Sequence, residues 1–248
     1  MTQKYLLECC VDSVESALAA HVGGADRLEL CSNLIIGGTT PTLALFEEIR
    51  KYTDIPIHVL IRPRFGDFLY TNYEANIICR EISAFRNAGA EGVVIGSLKA
   101  DGSLHLEQLK RFLDCAGDMS VTLHRAFDMC AEPLSALGQA MELGIHTILT
   151  SGQAPTCMEG IPLINRLLEA ADGKISILAG AGINAEAVTS LLNRTKLTQF
   201  HMSGKQVLDS GMQYRNPAVS MGLPGISEYD IWRTDSAAVQ KVRALLTS

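Results

Sequence analysis

The stretch YLLECCVDSVESALAAHVGGADRLELC, residues 5–31, holds one complete strand–helix–strand pattern. Two short apolar runs, residues 5–11 and 27–31, flank a segment whose apolar residues recur at three- and four-residue spacing, as in an amphipathic helix. Two glycines end that segment, and glycine accepts the left-handed backbone that commonly stops a helix. The stretch therefore predicts a βαβ unit, in which a helix connects two parallel strands.

The same unit recurs along the rest of the chain. Further short, β-rich apolar runs alternate with segments of helical spacing. These runs comprise residues 55–63, 92–98, 120–127, 147–152, 175–182 and 199–204, and the last helix is expected at about residues 235–247. The joints NAGAEGVVI (87–95) and ELGIHTILT (142–150) again place a glycine between a helix and a strand. Together with the first unit, these segments make eight strand–helix repeats.

Eight such repeats in 248 residues predict an α/β fold, a (βα)8 TIM barrel that forms a single domain over residues 1–248. A doubly wound open sheet is the alternative arrangement. Its dinucleotide-binding form carries a G-x-G-x-x-G motif after the first strand, and this sequence has none there. We therefore expect the closed barrel and no nucleotide cofactor.

The composition limits the partners of the protein. With 47% hydrophobic and 19% charged residues, the chain suits a domain with one large core. A net charge of −6 argues against a nucleic-acid or anionic-membrane surface, and no apolar run approaches the roughly 20 residues of a membrane span. The seven cysteines show no metal-finger or C-x-x-C spacing, and no signal-peptide pattern precedes the first strand. We expect a cytoplasmic protein with free thiols and small-molecule partners.

Chemically reactive side chains gather at the ends of the predicted strands, where a TIM barrel keeps its active site. Alternate strand residues face the same side, so Glu8 and Cys10 share one direction and Glu29 and Cys31 share another. The repeated Glu-x-Cys spacing predicts two carboxylates inside the barrel and two thiols above them at its mouth. Such thiols are also common packing residues, and the carboxylates are equally compatible with a structural ion network that includes Arg62.

Other strand ends carry further charged and polar residues. Candidate substrate-binding or catalytic residues after the third, fifth and eighth strands are Arg62, Arg64, Asp67, His124, Arg125, Asp128, His201 and Ser203. After the seventh strand, AGAGIN offers Gly180 and Gly182, where small residues let backbone N–H groups approach an anion. Loops after strands seven and eight often hold phosphate in this fold, which makes them a candidate anion site.

The segment 204–234 after the last strand is too long for an ordinary connection. Long loops in compact domains commonly act as lids or binding loops. We expect this segment to cover the mouth and to bring Arg215 or Asn216 inward.

Several motifs resemble those of one family. IRPRFGDFLY (61–70), TLHRAFDM (122–129), LTSGQ (149–153) and SGMQYRN (210–216), with the opening strand–helix–strand stretch, are similar to the CutC family, named for copper homeostasis. The resemblance extends from about Glu8 to about Tyr229. It implies a cytoplasmic, usually oligomeric TIM barrel that binds copper, with the Cu(I) thiols falling on Cys10 and Cys31. Cu(I) prefers thiolate and thioether ligands, which suits this assignment.

Two positions depart from the family pattern. Phe65 stands where glycine is usual, and Ile36 stands where glutamate is common before Gly37. If the first loop needs a positive φ, Phe65 is strained there, and otherwise it narrows the mouth.

The residues support two functions, and a scaffold without ligand chemistry is a third reading. The first is Cu(I) binding through Cys10 and Cys31. The second is an enzyme acting on a small anionic substrate, including a phosphorylated one. In that case Glu8 and Glu29 are acid/base candidates and His124 is a proton shuttle beside Arg125 and Asp128. The predicted anion-binding residues are then Arg62, Arg64, Asp67, Gly180, Gly182, His201, Ser203, Arg215 and Asn216.

Overall fold

Eight parallel strands close into a barrel in a computed structural model that describes residues 5–222 and 225–247. Each strand pairs with the next along the chain, and the eighth pairs with the first. The strands are β1 Leu6–Val11, β2 Arg27–Leu30, β3 Ile57–Leu60, β4 Gly92–Ile95, β5 Ser120–Leu123, β6 Thr147–Thr150, β7 Ser176–Ala179 and β8 Gln199–Met202. The predicted TIM barrel is confirmed. Residues 1–4 and 248 of the predicted domain, and 223–224 of the predicted lid, lie outside the described residues.

A helix follows each barrel strand and packs on the outside. The helices are α1 Val14–Val22, α2 Leu43–Arg50, α3 Asn72–Asn87, α4 Leu106–Ala116, α5 Pro133–Glu142, α6 Ile161–Ala171, α7 Ala185–Arg194 and α8 Ser236–Thr247. Side chains of Ser13 and Thr71 cap α1 and α3, which satisfies backbone N–H groups that a helix start leaves free. Gly144, at a predicted joint, has φ +75°, as its sequence position indicated. Across the described ranges, no helix combines the length and apolar character needed to cross a membrane.

Hydrophobic packing divides into two layers. The main core lies between strands and helices, and its largest fully buried side chains include Phe46, Phe85, Phe112, Phe127 and Phe200. Cys9 belongs to this outer layer, whereas Cys10 and Cys31 pack with Leu60 and Val94 in a separate cluster. The two-residue alternation of β1 therefore turns Cys9 toward the helices and Cys10 into the barrel.

The ends of the segment after β8 are structured. Two strands, β9 Lys205–Asp209 and β10 Asp230–Thr234, pair as an antiparallel ribbon. The sequence predicts a loop in this segment, so the ribbon is a difference from the prediction. Val207 and Trp232 are directly opposite each other in this ribbon, and the Lys205 ammonium lies 4.0 Å from the centre of the Trp232 ring. The backbone N–H of Thr234 donates to the Ser16 hydroxyl, so the ribbon is attached to α1. Cross-strand side-chain pairs of this kind stabilise a ribbon. The local sequence of residues 204–234 predicted a loop and did not indicate this pairing.

Candidate metal and anion site

A cavity of about 550 Å³ opens at the carboxyl ends of the barrel strands. Eight of the residues singled out from the sequence line it: Cys10, Glu29, Arg62, His124, Arg125, Gly182, His201 and Ser203. They come from six different strand ends. The closure of the barrel thus brings together residues that are far apart in the chain, because the carboxyl ends of all its parallel strands lie at one rim.

Three potential metal-ligating side chains converge on one side of the cavity. Cys10, Glu29 and His201 each offer a ligand atom, and these atoms lie within 4.8 Å of one another. The Cys31 thiol donates to Glu29 Oε2 at 3.4 Å and packs beside Cys10. Burial raises the pKa of the Glu29 carboxyl, and burial together with Glu29 raises the pKa of the Cys31 thiol well above its ordinary value. We call Cys10, Cys31, Glu29 and His201 the thiol cluster.

The thiol cluster rests on an ion network one layer deeper in the barrel. Glu8 is 1% exposed and lies between Arg27, whose Nε is 2.5 Å away, and His201, whose Nδ1 is 2.7 Å away. Burial would raise the pKa of Glu8, but Arg27 and His201 outweigh it and lower the pKa to about 2. Burial opposes a charge on His201, yet Cys10, Glu29 and Glu8 raise its pKa well above the ordinary value. Because Glu8 occupies Nδ1, the His201 Nε2 atom faces Glu29 at 3.7 Å.

Sequence reasoning missed Arg27 as the partner of Glu8. It named Arg62 for a structural ion network, but Glu8 pairs with Arg27. Arg27 lies at the start of β2, and only residues at the carboxyl ends of strands were considered as site candidates. Its parity with Glu29 nevertheless indicated that it points into the barrel. His58, also inward and buried, was missed for the same reason, and burial lowers its pKa to about 4.

Arg62 is buried and has no acidic partner in the part of the chain that the structure describes. Its side chain donates to the carbonyl oxygens of Gly37 (3.2 Å), Gly38 (3.0 Å) and Gly66 (2.8 Å), and its Nε has no hydrogen-bond partner in the described part of the chain. Its guanidinium carbon lies 5.0 Å from the centre of the Phe68 ring. Carbonyl dipoles thus hold the guanidinium in place, and within the described ranges no carboxylate oxygen lies close enough to pair with its charge.

His124 faces the same cavity as a neutral ring. Its Nδ1 accepts the backbone N–H of Ala126 at 3.1 Å, which assigns the ring hydrogen to Nε2. Burial and the nearby Arg62 lower its pKa to about 3. Its Nε2 has no hydrogen-bond partner in the described ranges, and its ring centre lies 4.8 Å from that of Phe68. A ring with this pKa stays neutral at pH 7 and presents Nε2–H as a hydrogen-bond donor, and its proton-shuttle role stays a prediction.

Asp128 ties the ends of β5 and β6 together. Its carboxylate accepts hydrogen bonds from Arg125 Nε at 2.7 Å, from the Thr150 hydroxyl and from the Ser151 backbone at 3.0 Å. Arg125 also donates to the Ser151 hydroxyl at 2.9 Å. These contacts use the acceptor positions of Asp128, so it positions Arg125 at the rim.

Other predicted residues lie outside the cavity. Arg64 binds Asp67 and Glu74, because β3 ends at Leu60 and strand alternation no longer applies beyond it. Arg215 is exposed and pairs with Asp209 at 2.7 Å. The backbone of Asn216 donates to the Tyr229 hydroxyl, so neither lid residue is brought inward.

The loop after β7 contributes backbone to the cavity. Gly180 donates its N–H to the Thr150 carbonyl at 3.0 Å, so it belongs to the barrel wall. Ala181, Gly182 and Ile183 line the cavity, and Ala181 and Gly182 have φ values of +70° and +87°. The positive φ of Ala181 was not indicated by its residue type.

The two departures from the family pattern lie beside the mouth. The backbone φ of Phe65 is not positive. Its side chain is 66% exposed and does not line the cavity. It is therefore neither strained nor a constriction. Ile36 lines a neighbouring groove together with Asp67.

Comparison with known proteins gives a consistent picture. The family model described as CutC matches residues 5–206. A human protein named copper homeostasis protein cutC homolog is 42% identical over 97% of this chain and 89% of its own length. A Bacteroides fragilis family protein CutC is 44% identical over 92% of each chain. These relatives match nearly the whole chain.

Solved structures agree. A CutC crystal structure from Streptococcus agalactiae has a TM-score of 0.77 at 28% identity, over 80% of this chain and 98% of that one. A thiamine phosphate pyrophosphorylase from Pyrococcus furiosus has a TM-score of 0.60 at 15% identity, over 99% and 97% of the two chains. The second likeness concerns the fold alone. From the family match, the near-complete relatives and the shared barrel, we conclude that the chain belongs to the CutC family.

Proposed function

We propose that this protein binds Cu(I) through Cys10 and Cys31, with His201 as a third ligand, and acts in copper homeostasis. The observation that carries the proposal is the convergence of Cys10, Glu29 and His201 within 4.8 Å, with the Cys31 thiol beside them. The names of the human and bacterial relatives support it.

The donor set suits this ion. Thiolates and imidazole are soft or intermediate ligands that favour Cu(I) over hard, oxygen-preferring cations. All seven cysteines are free, which agrees with a reducing, cytoplasmic location, and that location is part of the proposal. The buried thiols and the His201 ring must lose protons when the metal binds, so the binding site couples metal uptake to proton release.

Replacement of both thiols is expected to abolish Cu(I) binding. In an anaerobic titration against a competing chelator, Cys10→Ser/Cys31→Ser should lose stoichiometric binding because hydroxyls are poor ligands for a soft ion. All proteins in the comparison carry Cys115→Ser, which breaks up a second pair of interacting thiols, Cys79 and Cys115, on the surface. Cys9→Ala is the matched control, since Cys9 is on the same strand but faces the helices. Unchanged affinity in the double variant would refute the proposal.

A second function is supported by a separate observation. The buried guanidinium of Arg62 lines the same cavity as Cys10, Glu29 and His201 and has no carboxylate partner among the described residues. Cu(I), a cation, gains nothing from it. The Arg62 guanidinium instead favours an enzyme that acts on a small anionic substrate, with Glu29 and His201 near the bound anion. In a thermal-shift screen of anionic metabolites, we expect stabilisation by at least one compound and its loss in Arg62→Ala. No stabilisation across a broad panel would count against this function.

The segment 204–234 is proposed as a lid, and a homo-oligomer is proposed as the assembled state. The Lys205 side chain at the base of the ribbon lines the cavity. Met212, Tyr214 and Met221 are 59%, 76% and 80% exposed, which leaves apolar surface that closure or self-association would cover.

A further inference from the structure

Arg62 differs from the other arginines in the barrel interior and at its rim. Arg27, Arg64 and Arg125 each contact a carboxylate, and Arg27, which is as deeply placed, has Glu8 at 2.5 Å. Arg62 is 8% exposed, and no acidic oxygen comes within 4.0 Å of it among residues 5–222 and 225–247. A buried charge without a counter-charge is costly, so its retention points to a compensating anion from outside the chain.

A second unpaired donor stands close by. His124 Nε2 carries a hydrogen and, like Arg62 Nε, has no hydrogen-bond partner in the described chain. Both side chains are more than nine-tenths buried and line the cavity. Phe68 contacts both, with 5.0 Å between its ring and the guanidinium and 4.8 Å between the two ring centres. The donors are thereby fixed before any ligand binds.

We propose that Arg62 and His124 form a binding site for the carboxylate group of a small organic acid, in the cavity that Cys10, Glu29 and His201 also line. This inference rests on the second proposed function and specifies its substrate class. It is independent of Cu(I) binding, which uses other side chains.

The charge of the site and its free donors favour a carboxylate. The terminal nitrogens of Arg62 already donate to three carbonyls, which leaves Nε–H and one Nη2–H as its free donors. Together with His124 Nε2–H, the site offers three N–H groups and one positive charge. A carboxylate brings two oxygens and one negative charge, and charge-assisted hydrogen bonds of this type are the strong ones. A phosphate dianion in the same position would keep one charge and several acceptors unpaired.

The rest of the cavity defines where the acid extends. Besides Cys10, Glu29 and His201, the cavity is lined by polar groups of Ser203 and Lys205 and by apolar side chains: Leu34, Leu60, Leu149, Ile183 and Met202. The remainder of the ligand therefore faces both apolar side chains and polar groups.

Nuclear magnetic resonance of the full-length protein tests the proposal directly. The side-chain N–H resonances of Arg62 Nε and His124 Nε2 are followed while sodium acetate or uncharged acetamide is added at constant ionic strength. We expect acetate to shift both resonances saturably and acetamide to leave them in place. Arg62→Lys and His124→Phe should each weaken acetate binding by about tenfold, because each removes a directed donor. Arg64→Met is the matched control and should bind acetate as the unmodified protein does.

The outcomes separate the inference from the functions on which it rests. If inorganic phosphate shifts the same two resonances at lower concentration than acetate, the carboxylate assignment is overturned while an anionic substrate remains supported. If neither anion shifts them, the inference and the second function both fail. Acetate binding that persists in Arg62→Lys and His124→Phe alike would place the anion elsewhere and overturn the assignment of these residues.

Discussion

Arg27→Met is expected to lower the free energy of unfolding by about 3–5 kcal/mol, because it removes the arginine partner of the buried, ionised Glu8 and leaves only His201 beside it. Glu8 is 1% exposed, and Arg27 is 11% exposed beside it. The remaining partner of Glu8, His201, also borders Glu29. Chemical denaturation at pH 7 measures the loss. Because the network sets the orientation of His201, the same variant should also weaken Cu(I) binding.

An exposed ion pair supplies the control for Arg27. Lys51 pairs with Glu48 on α2, and both side chains are more than 40% exposed. Lys51→Met should change stability by less than about 1 kcal/mol, as solvent screens such pairs. Equal, small losses in both variants would show that the Arg27–Glu8 pair stabilises the fold no more than an exposed pair does, and would contradict the prediction.

The same ion network predicts a pH dependence. Glu8 has a pKa of about 2 in the folded protein, below its ordinary value of 4.5. A carboxyl with a lowered pKa stabilises the fold above its unfolded pKa, and this contribution is lost as the pH falls through the folded pKa. The stability difference between the unmodified protein and Arg27→Met should therefore shrink between pH 4.5 and about 2.

Gly160→Ala is expected to destabilise the protein by about 3–5 kcal/mol through a backbone collision. A Cβ atom at residue 160 would lie 1.8 Å from the Ser151 carbonyl oxygen and 2.9 Å from the Gly152 Cα atom. These neighbours are backbone and cannot rotate away. Urea unfolding measures the loss of stability. Ser151 also binds Asp128, so the collision should displace Arg125 at the rim.

Gly138 is the matched control for this substitution. It lies within α5, and a Cβ atom there meets nothing within 4 Å. Gly138→Ala should stabilise the protein by about 0.5–1 kcal/mol, because alanine loses less conformational entropy in a helix. If Gly160→Ala were as stable as the unmodified protein, the prediction would be wrong. The backbone at residue 160 could then move away from residues 151–152 without a loss of stability.

Local patterns in the sequence predicted most of the fold. All eight strands and the last helix formed where apolar runs, helical spacing and glycine joints placed them, because these signals depend on near neighbours in the chain. The ribbon of β9 and β10 was not predicted, since its two halves pair across 20 residues of intervening chain. A pairing between distant segments leaves little trace in either segment alone.

Strand parity predicted the inward direction of Glu8, Cys10 and Glu29, and the matching CutC motifs indicated the family. Parity holds only while the chain is a strand, so it grouped Arg62 with Arg64 although their surroundings differ. That Arg27 pairs with Glu8, that Arg62 has no acid beside it and that His124 is held neutral depend on barrel closure and burial. Strand positions read from the residues alone were therefore enough to identify the groups at the strand ends. Which of these groups are already paired became known only from the folded barrel, because pairing and desolvation arise between residues that lie far apart in the chain.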